Sequence, residues 1–292
     1  MSEPRVWVNG QPVDERGPSL SALDRGFTLG DGIFETMRAR AGRVFSYDYH
    51  LARLRRGAAI TRIPLPPPEE LEQIIATALA DVPPTEWTTL RLTISRGIPR
   101  QRGLLPDPDA TPTVVLHRSP LVPYPARVYE QGMHAITTRI TRNNHSPLSS
   151  IKAVGYLENV LARQEAAAHL ADEVLLRNND GNVVCASAMN LFVVFGTSLV
   201  TPPLTSGVIP GTVRALILDE LAPRAGLKVQ EGDFKAEALY SCTEAFLTNA
   251  LAGIVPLTQL DTLPIGSGSN AGKPGAWSRH LQEMLAQRWD AL

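Results

Sequence analysis

Lys152 is the first residue whose type and setting could carry chemistry. It lies in SSIKAVGYLENVL, between a polar loop and an apolar helical pattern, with apolar or small neighbours on both sides. An ammonium group among apolar neighbours loses hydration, which favours the neutral amine and makes it a nucleophile toward carbonyl carbon. The alternative is a lysine that extends its charge into solvent at the start of a helix, and this segment alone favours that alternative.

The segment SGVIPGTVRAL is a candidate anion site. Gly207, Gly211 and Thr212 precede a predicted helix that begins near Val213. Free backbone N–H groups and the helix dipole at such an N-terminus attract a phosphate. Turn and capping chemistry explains the same residues and is favoured for so short a fragment. The segment is not a P-loop, because G-x-x-x-x-G-K-[ST] does not occur in the chain.

Arginines supply two further candidates. Arg53, in HLARL, lies beside an apolar stripe of a predicted helix and could clamp a phosphate, although most such arginines are solvated surface charges. Arg91 and Arg96 lie on one predicted strand, and their odd separation places them on opposite faces. Arg96, with Arg100 and Arg102 on the following loop, could bind carboxylates; a solvated run of charges is an equal alternative.

The cysteines and histidines give no separate site. Cys185 and Cys242 are too few for a disulfide framework or a zinc site, and a lone cysteine in a strand is most often an inert core residue. The six histidines show no metal-ligand spacing, and no G-x-S-x-G nucleophile elbow occurs. The sequence therefore predicts no metal site.

Strands and helices must position these residues. Asn9-Gly10 between two β-prone runs predicts a hairpin. Further strands are predicted in IFETMRA, TTLRLTISRG, TPTVVLHRS, HAITTRITR and the meander 172–203, and helices in HLARLRRGAAI, 69–82, YLENVLARQEAAAHLA, the segment after Gly211 and WSRHLQEMLAQRW. Three prolines in SPLVPYPAR indicate an interdomain linker.

The linker divides the chain into two expected domains. We expect a small N-terminal α/β domain over 1–118, a linker over 119–125, and a larger C-terminal domain over 126–292 that contains Lys152.

Composition narrows the class of protein. The chain of 292 residues carries 28 Lys and Arg against 29 Asp and Glu, a net charge of −1, and 43% of its residues are hydrophobic. It can bury a substantial core, and its near-neutral charge gives no support for nucleic-acid binding. Its apolar runs are too short to span a bilayer, and no secretory signal is visible at its N-terminus. We therefore expect a cytoplasmic protein with a small-molecule substrate and neither nucleic-acid nor membrane partners.

Together, and in this order, the motifs resemble the class IV (fold type IV) pyridoxal-phosphate enzymes, which include branched-chain and D-amino acid aminotransferases and 4-amino-4-deoxychorismate lyase. The matching segments span almost the whole chain: LDRGFTLGDGIFETMR (23–38), YHLARL (49–54), LTISRG (92–97), SSIKAVGYLENVLARQEA (149–166), ADEVLL (171–176), NLFVV (190–194), GVIPGTVR (207–214) and EAFLTNALAGIVPL (244–257). The resemblance implies a two-domain mixed α/β (α+β) fold of the D-amino acid and branched-chain aminotransferase type, pyridoxal 5′-phosphate as the cofactor, and a homodimer.

The resemblance also implies roles for individual residues. Lys152 corresponds to the lysine that binds the cofactor covalently and moves the proton, and Tyr156 to a tyrosine that bonds the cofactor's phenolic oxygen. The residues implied to hold the cofactor's phosphate are Arg53, Gly211, Thr212 and Val213. The other implied cofactor contacts are Cys185, Thr248, Asn249 and Ala250. The implied substrate contacts are Phe34, Arg96, Arg100 and Arg102.

Three positions depart from the wider family. Cys185 stands where most members have a glutamate, Val213 where aminotransferases often have threonine, and Ala250 where they often have serine or threonine. The usual glutamate keeps the pyridine nitrogen protonated, so that the ring draws electrons strongly; a thiol cannot supply a carboxylate's charge. Transamination needs a long-lived carbanion, whereas in an elimination the leaving group takes the electrons. Cys185 therefore weakens an aminotransferase interpretation more than a lyase interpretation.

The resulting hypothesis is 4-amino-4-deoxychorismate lyase, a carbon–oxygen lyase that forms pyruvate and the folate precursor 4-aminobenzoate. FLTNALAGIVPL is closer to the lyase pattern F-L-T-N-S-L-x-G-I-x-P-V than to the aminotransferase pattern with a G-T-A core. One alternative is a class IV aminotransferase acting on D-amino acids, branched-chain substrates or amines. A second alternative is a degenerate member of the family that binds a ligand without catalysis.

Overall fold

A computed structural model describes residues 5–14, 16–17 and 19–292, apart from the side chain of Ser269. The described chain divides into two compact units. The first contains the chain up to Val122, the segment Ile151–Gly155 and the terminal Leu292; the second contains Pro123–Ser150 and Tyr156–Ala291.

The first unit is a six-stranded antiparallel sheet in the order β2-β1-β6-β5-β3-β4, with helices packed on one face. Its elements are β1 (Arg5–Val8), β2 (Gln11–Val13), α1 (Arg25–Leu29), β3 (Gly32–Arg40), β4 (Arg43–Val44), α2 (Tyr47–Thr61), α3 (Pro68–Leu79), β5 (Thr88–Ser95) and β6 (Thr113–Pro120).

Local sequence explains these elements. Asn9 and Gly10 both have positive φ, as a tight hairpin turn requires, so the predicted β1–β2 hairpin is confirmed. Helix α3 begins at Pro68, the last proline of a run, and carries Glu69 and Glu70 in its first turn, where the helix dipole favours acids. Alternate residues of β3 and β5 enter the core against α2 and α3, as the period of two predicts.

The second unit is built on a nine-stranded sheet. Its elements are α4 (Ala126–Glu130), β7 (Met133–Arg142), α5 (Leu157–Ala168), β8 (Glu173–Asn178), β9 (Val183–Ala186), β10 (Asn190–Phe195), β11 (Ser198–Thr201), α6 (Thr212–Leu216), α7 (Ala222–Arg224), β12 (Lys228–Glu231), α8 (Ala238–Ser241), β13 (Glu244–Asn249), β14 (Gly253–Leu260), β15 (Leu263–Pro264) and α9 (Ala276–Asp290). Short 3₁₀ turns occupy Pro147–Ser150, Leu204–Ser206 and Gly268–Asn270.

Part of this sheet closes on itself. The strands run in the order β12-β11-β10-β13-β14-β7-β8-β9, and β9 also pairs with β10 through Cys185 and Asn190. The ring β10-β13-β14-β7-β8-β9 is therefore a small barrel, with parallel pairs only on either side of β7. The first five residues of β10 are all buried, so this strand is covered on both faces.

Helices α6 and α7 form one continuous helical segment. The π-helical turn Ile217–Leu221 joins them without a break. Nothing in the local sequence signals this turn, and the sequence predicts a plain helix here. No helix of the described residues is both long and apolar enough to cross a membrane.

The observed division differs from the predicted domains at the linker, at the segment Ile151–Gly155 and at the terminal Leu292. Strand β6 continues to Pro120, so the first two residues of the predicted linker belong to a strand. Lys152 lies in the first unit, whereas the sequence places it in the C-terminal domain. The physical reason is strand pairing, because Ala153 forms an isolated antiparallel bridge with Ile33 of β3.

Candidate active site

Strand β3 holds the backbone of Lys152. The N–H of Phe34 donates to the carbonyl of Lys152, and the N–H of Val154 donates to the carbonyl of Gly32, both at 2.9 Å. The approach is close, since a Cβ at Gly32 would lie 3.0 Å from Cγ2 of Val154 and 3.1 Å from the carbonyl oxygen of Ile94, and these neighbours would have to shift. These contacts hold Lys152 half-buried, at a defined point on the sheet.

Phe34 lies between two cationic groups. Its buried ring has the Nζ of Lys152 at 4.2 Å and the guanidinium carbon of Arg91 at 3.8 Å from its centroid. Both distances are in the range of cation–π attraction. The structure therefore brings Arg91, which belongs to an exposed position of β5, to the same aromatic ring as Lys152.

Arg96 is built into the framework of the first unit. Its Nε donates to Oδ2 of Asp31 at 2.8 Å, its Nη2 to Oδ1 of Asp31 at 3.1 Å, and its terminal nitrogens to the carbonyls of Thr61 and Arg62 at 2.7 Å. Burial raises the pKa of Asp31, but hydrogen bonds from Arg96 and Arg25 outweigh it and lower this pKa. The substrate role of Arg96 stays a prediction; these contacts favour a role in joining β3 to the end of α2.

The other two predicted substrate arginines lie on the exposed loop between β5 and β6. The N–H of Arg100 donates to Asp107 at 2.7 Å, and its guanidinium pairs with Asp109. Arg102 is exposed. The substrate roles of both arginines stay predictions.

A buried cluster joins β3 to α2. Glu35, only 1% exposed, accepts from Nε of Arg53 at 2.8 Å through Oε1 and from Nη2 of Arg53 at 2.5 Å through Oε2. Its Oε2 also lies 2.6 Å from Nδ1 of the buried His50. The sequence analysis singled out Arg53 alone. A signal for its partner was present, since Glu35 is a charged residue at a core-facing position of β3 between Ile33 and Met37.

The surroundings of Glu35 and His50 determine which of these two side chains is charged. Burial raises the pKa of Glu35, but the charge of Arg53 and hydrogen bonds from Arg53 and His50 outweigh it and bring the pKa from 4.5 to about 2. Burial lowers the pKa of His50 and outweighs the hydrogen bond and charge of Glu35, which raise it; the charges of Arg53 and Lys152 act in the same direction as burial. Glu35 is thus a carboxylate near neutral pH, and a neutral His50 must carry its proton on Nδ1 to donate to it.

In the second unit, the N-terminus of α6 is shaped by Asn190. A Cβ on Gly211, the N-cap, would collide with Oδ1 of Asn190, so only glycine fits there. The Nδ2 of Asn190 donates to the carbonyl of Ile209 at 2.9 Å and fixes the turn. No side chain of the described residues caps this N-terminus. Val213 is buried in the first turn of the helix.

Two buried threonine hydroxyls fit a phosphate. The Oγ1 atoms of Thr212 and Thr248 have no hydrogen-bond partner among the described residues. Asn190 pairs across the sheet with Thr248 on one side and with Cys185 on the other. The barrel therefore brings Cys185 of β9, Thr248 of β13 and Gly211 at the N-terminus of α6 next to Asn190. The sequence analysis did not single out Asn190. Buried hydroxyls at an uncapped helix N-terminus are the donors that a phosphate requires.

Cys185 is buried in β9. Burial raises the pKa of its thiol, with the charge of Glu173 acting in the same direction and that of Arg142 against it. The thiol is therefore neutral near pH 7. Glu173 accepts through Oε1 from the N–H groups of Val174 at 2.9 Å and Ser187 at 3.2 Å, so it braces the backbone that leads out of β9.

The remaining predicted cofactor residues lie at the ends of elements. Tyr156 is the half-buried N-cap residue of α5. Asn249 accepts through Oδ1 from the N–H groups of Leu251 at 3.0 Å and Ala252 at 2.7 Å, and so shapes the turn between β13 and β14 that contains Ala250. Within the described residues, no group of His, Cys, Asp and Glu could hold a metal ion.

Comparison with known proteins identifies the family to which the chain is similar. The family described as amino-transferase class IV matches residues 32–260. A Methanocaldococcus jannaschii protein, provisionally named a branched-chain-amino-acid aminotransferase, is 32% identical over 96% of this chain and 94% of its own. The Escherichia coli branched-chain amino acid aminotransferase structure has a TM-score of 0.89 at 26% identity, covering 98% of this chain and 94% of its own. The 4-amino-4-deoxychorismate lyase structure from Pseudomonas aeruginosa has a TM-score of 0.82 at 31% identity, covering 97% and 98%.

Proposed function

This chain belongs to the amino-transferase class IV family, and we propose that within it the chain is a 4-amino-4-deoxychorismate lyase that forms 4-aminobenzoate and pyruvate. The cofactor of this family is pyridoxal 5′-phosphate. The similarity to the Pseudomonas aeruginosa lyase over nearly the whole of both chains supports the proposal.

The observation that carries the proposal is the buried neutral thiol of Cys185. A thiol whose pKa is raised by burial cannot hold a proton on the cofactor's ring nitrogen as a carboxylate does. We do not assign Glu173 that role, because its Oε1 accepts from two backbone N–H groups. An elimination tolerates a weaker electron sink, because the leaving group takes the electrons and the product ring becomes aromatic.

Lys152 is assigned the proton transfer. When bound, pyridoxal phosphate makes the hydrogen on the amino-bearing carbon of the substrate acidic. The Nζ of Lys152 removes the C4 proton of 4-amino-4-deoxychorismate, the C–H electrons form the last double bond of the ring, and the bond to the enolpyruvyl oxygen breaks. The enolpyruvate that leaves takes up a proton and becomes pyruvate, so atoms and charge balance.

We assign cofactor-binding residues in each of the two units. In the first unit we assign Arg53 to its phosphate, because guanidinium groups bind phosphate oxygens through paired N–H donors. In the second unit we assign the Thr212 and Thr248 hydroxyls and the N–H of Val213 to the phosphate, and Tyr156 to the phenolic oxygen. The unpartnered hydroxyls support this assignment.

Substrate binding is assigned to Phe34 and to an arginine that shares its ring. Arg91 is supported for a substrate carboxylate because it lies at an exposed position and contacts the ring that Lys152 also contacts. Arg100 and Arg102 stay proposed contributors. Arg96 is less well supported, since Asp31 and two carbonyls engage its guanidinium.

An aminotransferase is the second candidate. The similarity to the Methanocaldococcus jannaschii and Escherichia coli aminotransferases favours it, and the latter has the higher TM-score of the two structures compared. Both reactions require Lys152 and the phosphate contacts, so these residues do not separate the two candidates.

Two assays on one preparation separate them. The first follows pyruvate release from 4-amino-4-deoxychorismate; the second follows conversion of the bound cofactor to pyridoxamine phosphate by L-leucine, L-glutamate or D-alanine. We expect pyruvate release to be much faster than conversion by any of the three donors. Rapid conversion by one donor without pyruvate release would establish the aminotransferase instead.

A further inference from the structure

We propose that Glu35 and His50 are positioning residues that orient Arg53 for the phosphate of the cofactor. The proposal rests on the assignment of Arg53 to that phosphate. It goes beyond that assignment by naming the two side chains, one on β3 and one on α2, that decide whether the arginine can act.

Glu35 fixes the plane of the Arg53 guanidinium. Its two carboxylate oxygens accept from Nε at 2.8 Å and Nη2 at 2.5 Å, a two-point contact on one edge of a rigid planar fork. A single contact would leave the plane free to rotate, whereas two contacts define it.

His50 in turn fixes Glu35. It lies one turn before Arg53 on α2, so both side chains project from the same face of the helix toward β3. Its Nδ1 donates to Oε2 of Glu35 at 2.6 Å, and both side chains are almost completely buried. The carboxylate is therefore held from two directions, by the histidine and by the arginine that it orients.

The charges of Glu35 and Arg53 allow an orienting role of Glu35 to be distinguished from a purely Coulombic one. Glu35 cancels the charge of Arg53, so the phosphate meets a neutral pair in place of a bare cation. Neutralising Glu35 adds one positive charge to the site, and Coulomb attraction alone would then tighten phosphate binding. If orientation matters more than net charge, the same change weakens phosphate binding.

The test compares pyridoxal phosphate with pyridoxal. Each is titrated into the cofactor-free full-length chain, with quenching of tryptophan fluorescence as the readout. The ratio of the two dissociation constants, Kd(pyridoxal)/Kd(pyridoxal phosphate), measures how much the phosphate contributes. A change that merely loosens the fold weakens both ligands and leaves the ratio unmoved.

Loss of orientation lowers this ratio. Arg53→Ala is expected to lower it by about 10- to 100-fold, the range for losing hydrogen bonds to a charged group. Glu35→Gln is expected to lower it by about 10-fold, because an amide offers one acceptor and sets N–H groups against those of the arginine. His50→Phe is expected to lower it as well, and His50→Asn, which keeps a donor near Nδ1, to restore most of it.

A matched control is available in the same unit. Asp81 is a carboxylate partner of the buried Arg118, so Asp81→Asn also deprives a buried arginine of its anion. This variant is expected to leave the ratio unchanged.

The outcomes separate the assignment of Arg53 to the phosphate from the proposal that Glu35 and His50 orient it. If Arg53→Ala lowers the ratio but Glu35→Gln leaves it unchanged or raises it, the positioning proposal is wrong and the phosphate assignment stands. If Arg53→Ala leaves the ratio unchanged, the phosphate assignment itself is wrong. Should Glu35→Gln fail to fold, the His50 pair decides: equal ratios for His50→Phe and the native chain overturn the proposal.

Discussion

In the proposed function, Cys185 is the side chain that favours elimination over transamination. Its thiol is buried, and burial raises its pKa, so it is neutral near pH 7. The sequence analysis expects a carboxylate at this position in most members of the family. If Cys185 does face the ring nitrogen, as we propose, the protein draws electrons into the cofactor less strongly, which suits elimination better than transamination.

A carboxylate at this position should shift the balance of reactions. We expect Cys185→Glu to raise the rate at which an amino donor converts the cofactor to pyridoxamine phosphate by about 10-fold, equivalent to about 1.4 kcal/mol of barrier. Stopped-flow absorbance measures this rate, and Cys185→Ser, which adds no charge, is the control. Equal rates for the two variants would show that residue 185 does not govern the ring nitrogen.

Arg91 and Arg96 should respond differently to substitution. Arg91→Gln is expected to raise the KM for 4-amino-4-deoxychorismate by about 10-fold through loss of a charge-assisted contact, with little change in stability. Arg96→Gln is expected to lower the free energy of unfolding by about 3 kcal/mol, because it leaves Asp31 and two carbonyls without their partner. Kinetics and urea unfolding on both variants provide the measurements; the opposite pattern would restore Arg96 as the substrate arginine.

The junction of β3 and α2 makes stability depend on pH. The folded pKa of Glu35, about 2, lies below its ordinary 4.5, so the native state binds the proton less readily than the unfolded chain. The resulting stability, on the order of 3 kcal/mol, is complete above the ordinary pKa and is lost as pH falls from about 5 toward 2. The lowered pKa of His50 acts in the same direction, because the folded state also resists protonation there.

Urea unfolding between pH 7 and pH 3 tests this linkage. The native chain should lose stability more steeply below pH 5 than Glu35→Gln, which has no carboxylate to protonate. Parallel curves for the two proteins would show that Glu35 is not held ionised by its partners.

Gly211, the N-cap residue of α6, should not tolerate substitution by a residue with a side chain. A Cβ there collides with Oδ1 of Asn190, so Gly211→Ala must displace the helix N-terminus or the asparagine. We expect Gly211→Ala to weaken pyridoxal phosphate binding by about 10-fold or more, through loss of the Thr212 and Val213 contacts. Gly103→Ala, at a glycine with open space around it, is the control and should bind normally.

Local elements were predictable where local chemistry decides them. The hairpin at Asn9-Gly10 and helix α3 between proline-rich breakers follow from turn and capping chemistry, and both are confirmed. The bridge that attaches Ala153 to β3 could not be predicted, because it joins residues more than a hundred positions apart. The alignment of Cys185 and Thr248 around Asn190 was hidden for the same reason, since strand order is a property of the closed barrel.

At the scale of the whole molecule, the family was predictable and the reaction was not. The matching motifs are distributed along nearly the entire chain, and the family match over residues 32–260 confirms the predicted fold class. A lyase structure and an aminotransferase structure both match nearly the whole chain, so the fold does not separate the two reactions. Our proposal relies on Cys185 to separate them. A cytoplasmic location stays a prediction.

We predict that the molecule is a homodimer. In the first unit, Arg25 donates to the carbonyls of Gly103 and Leu104, which ties the β5–β6 loop to α1. Phe27 follows Arg25 by two positions, Leu104 supplies one of the accepting carbonyls, and Leu105 is the next residue. These three apolar side chains are exposed by 79%, 83% and 89%, and we infer that a partner covers them. Light scattering should give the mass of a dimer for the native chain and a smaller mass for Leu105→Asp; a native monomer would contradict the prediction.

The most direct test of the central claim is the stoichiometry of products from 4-amino-4-deoxychorismate with no amino acceptor present. Pyruvate is followed with lactate dehydrogenase and NADH, and 4-aminobenzoate is quantified in the same sample. We predict one pyruvate for each 4-aminobenzoate, and loss of both in Lys152→Ala. Cofactor-loaded native protein that releases no pyruvate, or a Lys152→Ala variant that keeps full activity, would contradict the account.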